Sequence, residues 1–339
     1  MKAVRFLGAG KADVAEVPTP AVSPGRMLIR VHSTALCGSE NKMYLSDPSE
    51  FKDKGGYQIP GHEMAGEVAD PGDIKGFKPG DKIVTQVFDG CGSCPYCKKG
   101  MYQLCQSTKF NNSTHAEYVT MPEKCVIKAP EDIPYDMLVL LGGDTVGVAN
   151  RAISQLNLRP GQLVFVSGAG PIGLGMTALL KHYGAFVVVS EPTAFRRDYI
   201  KQHANADLVL DPAKDNLKEE LRSRTDGLGP EFCIECSGNP KAQLDALDLV
   251  RCRGNVMFCG ENYTGLEIIP SVHVIHKEVT VRGAFYFTPS DFHEIVALYR
   301  GGLDVSGLVS HKVPLKEAPA IIEQFVKGLT GKVILHPQE

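Results

Sequence analysis

The sequence predicts an α/β protein in two parts, a parallel sheet flanked by helices and a β-rich part. From about residue 147 to 285, apolar strand-like runs alternate with helix-forming segments, the pattern of a parallel sheet covered by helices. A G-x-G-x-x-G motif at 168–173 lies near the start of this alternation. The preceding residues are punctuated by glycine and proline and show little helical periodicity, as in β-rich domains. A chain of 339 residues has room for two such domains.

The first part consists of short strand-like runs separated by turns. Alternating or apolar runs predict strands at 4–7, 27–31, 82–85 and 116–121. Pro18 and Pro20 mark a turn between the first two runs, and Pro79 with Gly80 introduces the third. We therefore expect this part to be built mainly of β-strands.

Four cysteines in a short segment rich in glycine and proline carry the strongest local signal. Cys91, Cys94, Cys97 and Cys105 have the spacing C-x2-C-x2-C-x7-C. Four thiolates suit a closed tetrahedral zinc site, and the alternatives are iron–sulfur ligation or disulfides. Disulfides are rare in the cytoplasm, where we expect this chain. A site closed by four thiolates has no open position, so we predict a structural zinc.

The stretch 162–191 predicts a dinucleotide-binding unit. An apolar run at 163–166 predicts a buried strand, and the glycine motif follows at once. Helix-forming residues 172–182 and a second apolar run at 186–189 complete a strand–helix–strand order. In that order the glycines permit a tight turn and the approach of a pyrophosphate, which the helix N-terminus binds. The motif alone could be an ordinary turn, but its context favours a cofactor site at Gly168, Gly170, Pro171, Ile172 and Gly173.

Glu191 and Arg196 bear on the choice of cofactor. Glu191 lies eighteen residues after Gly173, close to the spacing of an acid that binds ribose hydroxyls. A carboxylate there would accept from both hydroxyls and would repel the 2′-phosphate of NADP. Arg196 could instead stack near adenine or shift the preference towards NADP. We predict NAD as the preferred cofactor.

The remaining segments continue the alternation and then leave it. Strands are predicted at 232–235 and 255–258, helices at 291–299 and 318–329, and a strand at 332–335. Cys233 and Cys236 have the C-x2-C spacing of a redox or zinc pair but lie on a predicted buried strand. We therefore assign them to the core of the sheet, together with Cys252 and Cys259, and assign Cys125 to packing as well.

Composition argues against several classes of function. A net charge of −3 and a pI of about 6.4 leave no basic excess for nucleic acid or an anionic membrane. The first residues contain no signal-like apolar segment, and the most apolar window, 163–180, contains four glycines, unlike a membrane span. Ten cysteines in such a chain indicate metal ligands or buried thiols. We expect a cytoplasmic protein that binds a small molecule, and neither nucleic acid nor membrane.

Cys37, His62, Glu63 and Asp144 are dispersed, and each alone has an ordinary explanation as a core thiol or a hydrogen-bonding group. With the other motifs, this chain resembles the zinc-containing medium-chain dehydrogenase/reductase family, of the alcohol and polyol type that includes sorbitol dehydrogenase. The resemblance covers essentially the whole chain. It rests on Cys-Gly-Ser at 37–39, Gly-His-Glu at 61–63 with Gly66, the four-cysteine lobe and the glycine motif, which are specific as an ordered set.

The resemblance implies a fold and an assembly. It implies a GroES-like catalytic domain at 1–146 and 286–339, which carries the cysteine lobe, and a Rossmann domain at 147–285. Relatives of this size form homodimers or homotetramers. The segment 279–285 is apolar enough for an edge strand, and pairing would cover that edge. We predict a homo-oligomer built through it.

The resemblance also implies two zinc ions per chain, one in the cysteine lobe and one catalytic. Cys37, His62 and Asp144 would hold the catalytic ion, with Glu63 able to approach or join it. Asp144 is assigned by counting, because it lies twenty-four residues before Gly168, where polyol-type relatives carry a glutamate. Three protein ligands leave a fourth position for substrate.

Three further residues match family positions. Ser39 matches the residue that takes the alcohol proton into a relay, and Glu40 matches a carboxylate that could orient the ring of His62. Lys332 resembles a cationic position that meets the cofactor pyrophosphate, although plain solvation is the alternative.

Two departures from the family pattern bear on the site. Lys42 stands where many relatives have a histidine that ends the proton relay, so the last relay step differs. Ser-Thr-His at 113–115 replaces the usual Gly-Gly-Phe, so that His115 could touch substrate or lie exposed in a loop.

The implied function is hydride transfer between a polyol, sugar or other secondary alcohol and NAD, with zinc favouring loss of the hydroxyl proton. Amino-alcohol dehydrogenases of the threonine type and simple-alcohol dehydrogenases are alternatives within the family. A non-catalytic zinc- and nucleotide-binding relative is a further alternative. The complete set of Cys37, Ser39, His62 and Asp144 argues against it, because loss of catalysis removes the need for an open metal site.

Overall fold

A computed structural model describes residues 1–339 apart from the side chain of Lys54, and the chain divides into two compact units. The first unit comprises Met1–Gly147, Phe287–Val296 and Val309–Glu339, and the second comprises Val148–Tyr286 and Ala297–Leu308. Our sequence prediction placed all of 286–339 with the first unit. Residues 297–308 belong instead with the second, where the carbonyl of Gly307 accepts from the Tyr199 hydroxyl at 2.9 Å.

The secondary structure follows the predicted segments closely. The strands are β1 (Lys2–Gly8), β2 (Lys11–Glu16), β3 (Arg26–Ala35), β4 (Glu63–Asp70), β5 (Lys82–Thr85), β6 (Phe88–Asp89), β7 (Lys109–Phe110), β8 (Tyr118–Pro122), β9 (Val126–Lys128), β10 (Leu163–Ser167), β11 (Phe186–Ser190), β12 (Leu208–Leu210), β13 (Phe232–Glu235), β14 (Asn255–Phe258), β15 (Thr280–Gly283), β16 (Val309–Pro314) and β17 (Lys332–His336). The α-helices are α1 (Glu40–Leu45), α2 (Tyr135–Leu141), α3 (Asp144–Ile153), α4 (Pro171–His182), α5 (Ala194–His203), α6 (Leu217–Ser223), α7 (Pro240–Leu249), α8 (Pro289–Arg300) and α9 (Ala318–Val326).

The first unit is built mainly of β-structure. Its largest sheet has seven strands in the order β16-β17-β3-β4-β5-β9, with β8 also paired to β3. Met27, Ile29 and Val31, every second residue of β3, are buried with Met64 and Met121 of the neighbouring segments. This alternation follows from the period of two along a strand, and it fixes which side of β3 faces the core.

The second unit contains a six-stranded parallel sheet in the order β12-β11-β10-β13-β14-β15. The chain starts in the middle at β10, proceeds outward to β12, and then continues on the other side from β13. The order therefore reverses between β10 and β13, and ligands of such sheets bind at the carboxyl ends of the strands beside that point. This arrangement confirms the predicted Rossmann sheet.

Most of the cysteines outside the two predicted metal sites are buried. Cys125, Cys233, Cys236 and Cys259 are buried, in agreement with the sequence interpretation. Cys252 is exposed, so its assignment to the core was wrong: it lies in the turn between α7 and β14, outside the sheet. Among the helices that the structure describes, none is long and apolar enough to cross a membrane.

Candidate functional site

The structure brings together the four dispersed residues Cys37, His62, Glu63 and Asp144. Because β3 and β4 are antiparallel, with Ala35 opposite Glu63, the chain beyond β3 places Cys37 beside His62. Asp144 is the first residue of α3. One ligand atom from each of the four side chains lies within 4.8 Å of the other three, and all four residues are buried.

The atoms of this cluster suit a metal ion. The Cys37 thiol donates to Asp144 Oδ2 at 3.3 Å, and His62 Nε2 lies 3.1 Å from the same oxygen. Two carboxylate oxygens, Asp144 Oδ1 and Glu63 Oε2, are buried without a hydrogen-bond partner among the residues that the structure describes. Buried polar atoms without a partner are costly, and a bound cation would satisfy them. Sulfur, imidazole nitrogen and carboxylate oxygen together fit zinc.

Electrostatics in the cluster bear on the state of its thiol. Burial raises the pKa of the Cys37 thiol, and the negative charge of Asp144 raises it further. A divalent cation reverses this balance, because a thiol that coordinates a metal is deprotonated. Binding of a cation by this thiol would therefore go with loss of its proton.

Glu40 lies behind the ring of His62 and contacts a second histidine. Its Oε1 is 3.1 Å from His62 Nδ1, and its Oε2 accepts from His115 Nε2 at 3.1 Å. Although burial opposes ionisation, His115 and His62 hold the pKa of Glu40 well below its usual range. The predicted contact between Glu40 and His62 is present, and it places the other ring nitrogen of His62 towards Asp144.

His115 does not occupy either position that we predicted for it. It is fully buried, and its Nδ1 lies 2.8 Å from Thr34 Oγ1, so it is not an exposed loop residue. Both ring nitrogens are engaged inside the protein, which leaves no free nitrogen for substrate. The segment takes this position because the backbone N–H of His115 donates to the Pro60 carbonyl at 3.0 Å. The exchange of a usual phenylalanine for histidine was the sequence signal for this contact.

Lys332 also differs from its predicted role. Its side chain is fully buried in the first unit, where Nζ donates to Glu63 Oε1 at 2.7 Å and to the Leu36 carbonyl at 3.0 Å. An ammonium group held in this way supports the metal cluster and does not match a pyrophosphate contact. Burial raises the pKa of Glu63 to about 7, against the opposing attraction of Lys332.

Ser39 and Lys42 follow Cys37 closely in the chain and are exposed. Ser39 precedes α1, and its hydroxyl makes no capping hydrogen bond to that helix. Its neighbour Cys37, two residues earlier, is buried. Ser39 is therefore an exposed residue two positions after a buried member of the cluster, and its part in a proton relay stays a prediction.

The four cysteines of the predicted lobe also gather. The Sγ atoms of Cys91, Cys94, Cys97 and Cys105 lie within 4.8 Å of one another. Backbone N–H groups of Cys91, Cys94 and Cys97 each donate to a sulfur of the group at 3.4 Å. Hydrogen bonds to the sulfurs favour thiolates, and Ser93 lowers the pKa of Cys91 to about 5. Four converging sulfurs of this kind fit a tetrahedral zinc.

The glycine motif of the second unit forms a cradle at the carboxyl end of β10. A Cβ on Gly173 would lie 1.9 Å from the Gly168 carbonyl oxygen, so the third glycine is required for the helix to approach the loop. Around Gly170 the nearest side-chain atom is Arg196 Nη1, 3.9 Å from a built Cβ, which leaves space above the loop. The first-turn amides of Ile172 and Gly173 in α4 have no carbonyl partner within the helix. This open cradle fits a pyrophosphate.

Glu191 lies beside the cradle. Its Oε2 accepts from the Ala169 amide and its Oε1 from the Thr193 amide, each at 2.8 Å. Each carboxylate oxygen can accept a second hydrogen bond, and binding of a ribose diol at Glu191 stays a prediction. Burial lowers the pKa of Arg196, partly offset by Glu191, and Arg196 Nε has no partner among the described residues.

Comparisons with known proteins agree with one another. The family model "Alcohol dehydrogenase GroES-like domain" matches residues 23–131, and "Zinc-binding dehydrogenase" matches residues 171–300. L-threonine 3-dehydrogenase of Symbiobacterium thermophilum is 31% identical over 347 residues, covering 99% of this chain and 98% of that protein. Alcohol dehydrogenase TADH from Thermus sp. ATN1 has a TM-score of 0.86 at 28% identity, covering 99% of each chain. The 2R,3R-butanediol dehydrogenase from Bacillus subtilis has a TM-score of 0.82 at 26% identity, covering 99% of each chain.

Proposed function

This chain belongs to the zinc-containing medium-chain dehydrogenase/reductase family, and on that premise we propose that it oxidises an L-threonine-type amino alcohol with NAD. The family makes it a zinc-dependent alcohol dehydrogenase. The observation that carries the proposal is the buried cluster of Cys37, His62 and Asp144, in which a carboxylate oxygen has no partner among the described residues. Because Glu63 is paired with Lys332, the other three residues can hold zinc with a fourth position left for substrate, as in catalytic sites.

Each residue of the cluster has an assigned part in this proposal. Cys37, His62 and Asp144 hold the zinc. Glu63, which is paired with Lys332, lies next to these ligands and can approach or join the metal. When bound, zinc supplies a Lewis acid that lowers the pKa of the substrate hydroxyl. The cysteine lobe holds the second zinc, which has a structural role.

Ser39 accepts the proton that the substrate hydroxyl loses. The Ser39 oxygen can accept a hydrogen bond from the substrate hydroxyl while its own O–H donates to water, because the residue is exposed. Because Ser39 can pass its proton directly to water, the relay does not need the histidine that many relatives have at the position of Lys42. Replacing Ser39 cuts the proton path but leaves the metal ligands intact.

The second unit supplies the cofactor site. NAD is the hydride acceptor, and the protein's part is to bind and orient it. The amides at the start of α4 bind the pyrophosphate, and Glu191 accepts from the ribose hydroxyls. The negative charge of Glu191 disfavours the 2′-phosphate of NADP, although Arg196 lies close enough to the loop to oppose that preference.

The comparisons support a threonine-type substrate better than the polyol that we placed first from the sequence. A curated relative that matches 99% of this chain is an L-threonine 3-dehydrogenase. A polyol remains the second candidate, favoured by the similar fold of the Bacillus subtilis 2R,3R-butanediol dehydrogenase. Both substrates are secondary alcohols whose hydroxyl-bearing carbon is next to a carbon with a second polar group.

A substrate panel tests this proposal directly. Zinc-loaded protein is given NAD with L-threonine, 2R,3R-butanediol, sorbitol or 2-propanol, and NADH formation is followed. We expect the highest kcat/KM with L-threonine, and loss of turnover together with one zinc in Asp144→Ala. A higher kcat/KM with butanediol or sorbitol would replace the proposed substrate class. Failure to oxidise any of the four, with both zinc ions bound, would contradict the proposed dehydrogenase activity towards these alcohols.

We also propose a homo-oligomer that pairs through β15. This strand is the edge of the parallel sheet, and Val281 is 42% exposed on it. Phe285 and Ile275 nearby are 43% and 62% exposed. An exposed apolar edge strand favours pairing with another strand, and a second copy of this chain offers an identical edge.

A further inference from the structure

We propose that His115 is a positioning residue for His62 and acts through Glu40. The inference rests on the proposed catalytic zinc site and assigns to it a residue that the motifs of the family do not include. Its role is to hold the carboxylate of Glu40 in one orientation, so that the ring of His62 presents Nε2 to the metal. His115 itself contacts neither metal nor substrate.

The carboxylate of Glu40 lies between two imidazole rings. An ionised carboxylate only accepts hydrogen bonds, and the two oxygens of Glu40 each face a different imidazole. His62 Nδ1 is 3.1 Å from Oε1, and His115 Nε2 is 3.1 Å from Oε2. With Nδ1 of His62 facing Glu40, Nε2, which lies 3.1 Å from Asp144 Oδ2, is the nitrogen placed to bind a metal once it gives up any proton.

His115 is also held from its other side. Its Nδ1 is 2.8 Å from Thr34 Oγ1, which itself donates to the Glu63 carbonyl at 2.8 Å. Thr34, His115, Glu40 and His62 thus form one buried chain of polar contacts that ends at the metal cluster. Because the ring of His115 is held at Nδ1 by Thr34, its Nε2 can hold the carboxylate of Glu40 in one orientation.

His115 packs closely against the loop that carries His62. A Cβ on Gly61 would lie 2.5 Å from His115 Nδ1 and 2.6 Å from its backbone nitrogen. Residue 61 has a φ of +99°, which glycine adopts without strain. The glycine before His62 therefore makes room for the second histidine, and any side chain there would displace it.

Without His115, the carboxylate of Glu40 would lose its strongest contact at Oε2. The remaining donor to that oxygen among the described residues is the Cys37 amide, at 3.5 Å. Glu40 is buried, and a buried carboxylate with few donors is costly. It would rotate or recruit other donors, and the hold on His62 would weaken. Outer partners of metal-binding histidines change metal affinity or activity by roughly 10- to 100-fold in other proteins.

The test compares His115→Phe with His115→Gln in the full chain loaded with two zinc ions. Phenylalanine removes the donor, whereas glutamine can place an amide N–H near the position of Nε2. Zinc release to a chelator is followed, together with kcat, KM and the absorption spectrum of the cobalt-substituted protein. Val119→Ala, on β8, is the matched control because it removes buried apolar volume without touching the chain of contacts.

We expect His115→Phe to release the catalytic zinc about 10- to 100-fold faster, to lower kcat more than it raises KM, and to shift the cobalt spectrum. Release from the cysteine lobe should not change. His115→Gln should restore most of each property, and Val119→Ala should lower only the melting temperature. Equal zinc release and spectra for His115→Phe and the unmodified protein, or equal defects in both His115 variants, would overturn the inference.

Failure of the proposed function would be visible separately. If the unmodified protein binds no zinc at Cys37 and His62, the catalytic site itself is wrong. If it binds two zinc ions but oxidises another alcohol, only the substrate assignment changes. Zinc release and the cobalt spectrum report on His115 without reference to any substrate.

Discussion

Lys332 and Glu63 form an ion pair in the interior of the first unit, with Nζ 2.7 Å from Oε1 and neither side chain exposed. The ammonium also donates to the carbonyl of Leu36, immediately before Cys37. One cation therefore connects the acid of the metal cluster to the backbone of its thiol ligand.

Lys332→Met should be strongly destabilising, because it leaves a buried carboxylate without its partner. The free energy of unfolding should fall by roughly 3–5 kcal/mol, as in other buried pairs that lose one member. Chemical denaturation of the full chain measures this, and NAD affinity should change little. The control is Lys327→Met, whose partner Glu323 is exposed. Weaker NAD binding with unchanged stability would instead favour a pyrophosphate contact.

Cys94→Ser should remove the zinc of the cysteine lobe. We expect zinc content to fall from two ions per chain to one, with a lower melting temperature. In domains of 150–250 residues, each 1 kcal/mol lost lowers Tm by roughly 2–4 °C. Cys125→Ser, at a buried cysteine outside both clusters, should keep two ions. One ion per chain in fully loaded unmodified protein, with the lobe empty, would refute this prediction.

Glu191→Gln should reduce the preference for NAD over NADP. The substitution keeps the size of the side chain but removes a charge that repels the 2′-phosphate. Two like charges 4 Å apart interact by roughly 4 kcal/mol near a protein surface, so the ratio of kcat/KM values should change by at least about tenfold. Arg196→Ala should increase the preference for NAD over NADP. Equal efficiency of the unmodified enzyme with both cofactors would mean that Arg196 outweighs Glu191.

Asp136→Asn should destabilise the protein at neutral pH and have little effect in acid. Burial opposes ionisation, but Lys312, Ser33 and His336 lower the pKa of Asp136 from 3.8. A carboxyl with a lowered folded pKa adds stability above its unfolded pKa, and this is lost as the pH falls through the folded pKa. We expect a loss of roughly 1.5–3 kcal/mol at pH 7.

Denaturation curves from pH 7 down to about pH 3 measure this difference between Asp136→Asn and the unmodified protein. Asp198→Asn, at an exposed position of α5, is the control and should follow the unmodified protein throughout. A difference that grows as the pH falls would show that the sign of the shift is wrong.

Val281→Lys should dissociate the proposed oligomer. Pairing of two identical edges across a twofold axis would bring the introduced charges close together, and like charges on paired strands repel. Sedimentation at micromolar concentration should give an oligomer for the unmodified chain and a monomer for the variant. Leu228→Lys, at another exposed apolar residue of the second unit, should remain oligomeric. A monomeric unmodified chain would contradict the proposal.

Sequence was most informative where the relevant residues are neighbours along the chain. The cysteine lobe and the glycine motif are short-range patterns whose spacing restricts their chemistry, and both sets of residues gather as expected. His62 and Asp144 are 82 residues apart, and only the family resemblance placed them together beforehand.

The parts that sequence did not predict depend on what lies behind the ligands. His115 and Lys332 are polar residues whose neighbours are decided by packing in three dimensions. A histidine between polar residues of a loop is expected at the surface, and a lysine in a strand near the C-terminus is expected in solvent. Their burial follows from acidic partners already present in the interior, Glu40 and Glu63.

The position of β17 in the first sheet has a consequence for synthesis of the chain. This strand lies between β16 and β3, and Lys332 follows Leu36 by 296 residues. At 5–20 residues per second, a ribosome needs roughly 15–60 s to cover that interval. During this time the second unit is synthesised in full, while the edge of β3 at Thr34 and Ala35 has no β17 to pair with and Glu63 has no ammonium partner. All four residues of the metal cluster are therefore made before the nucleotide-binding unit, but Lys332, the buried partner of Glu63, emerges only after it.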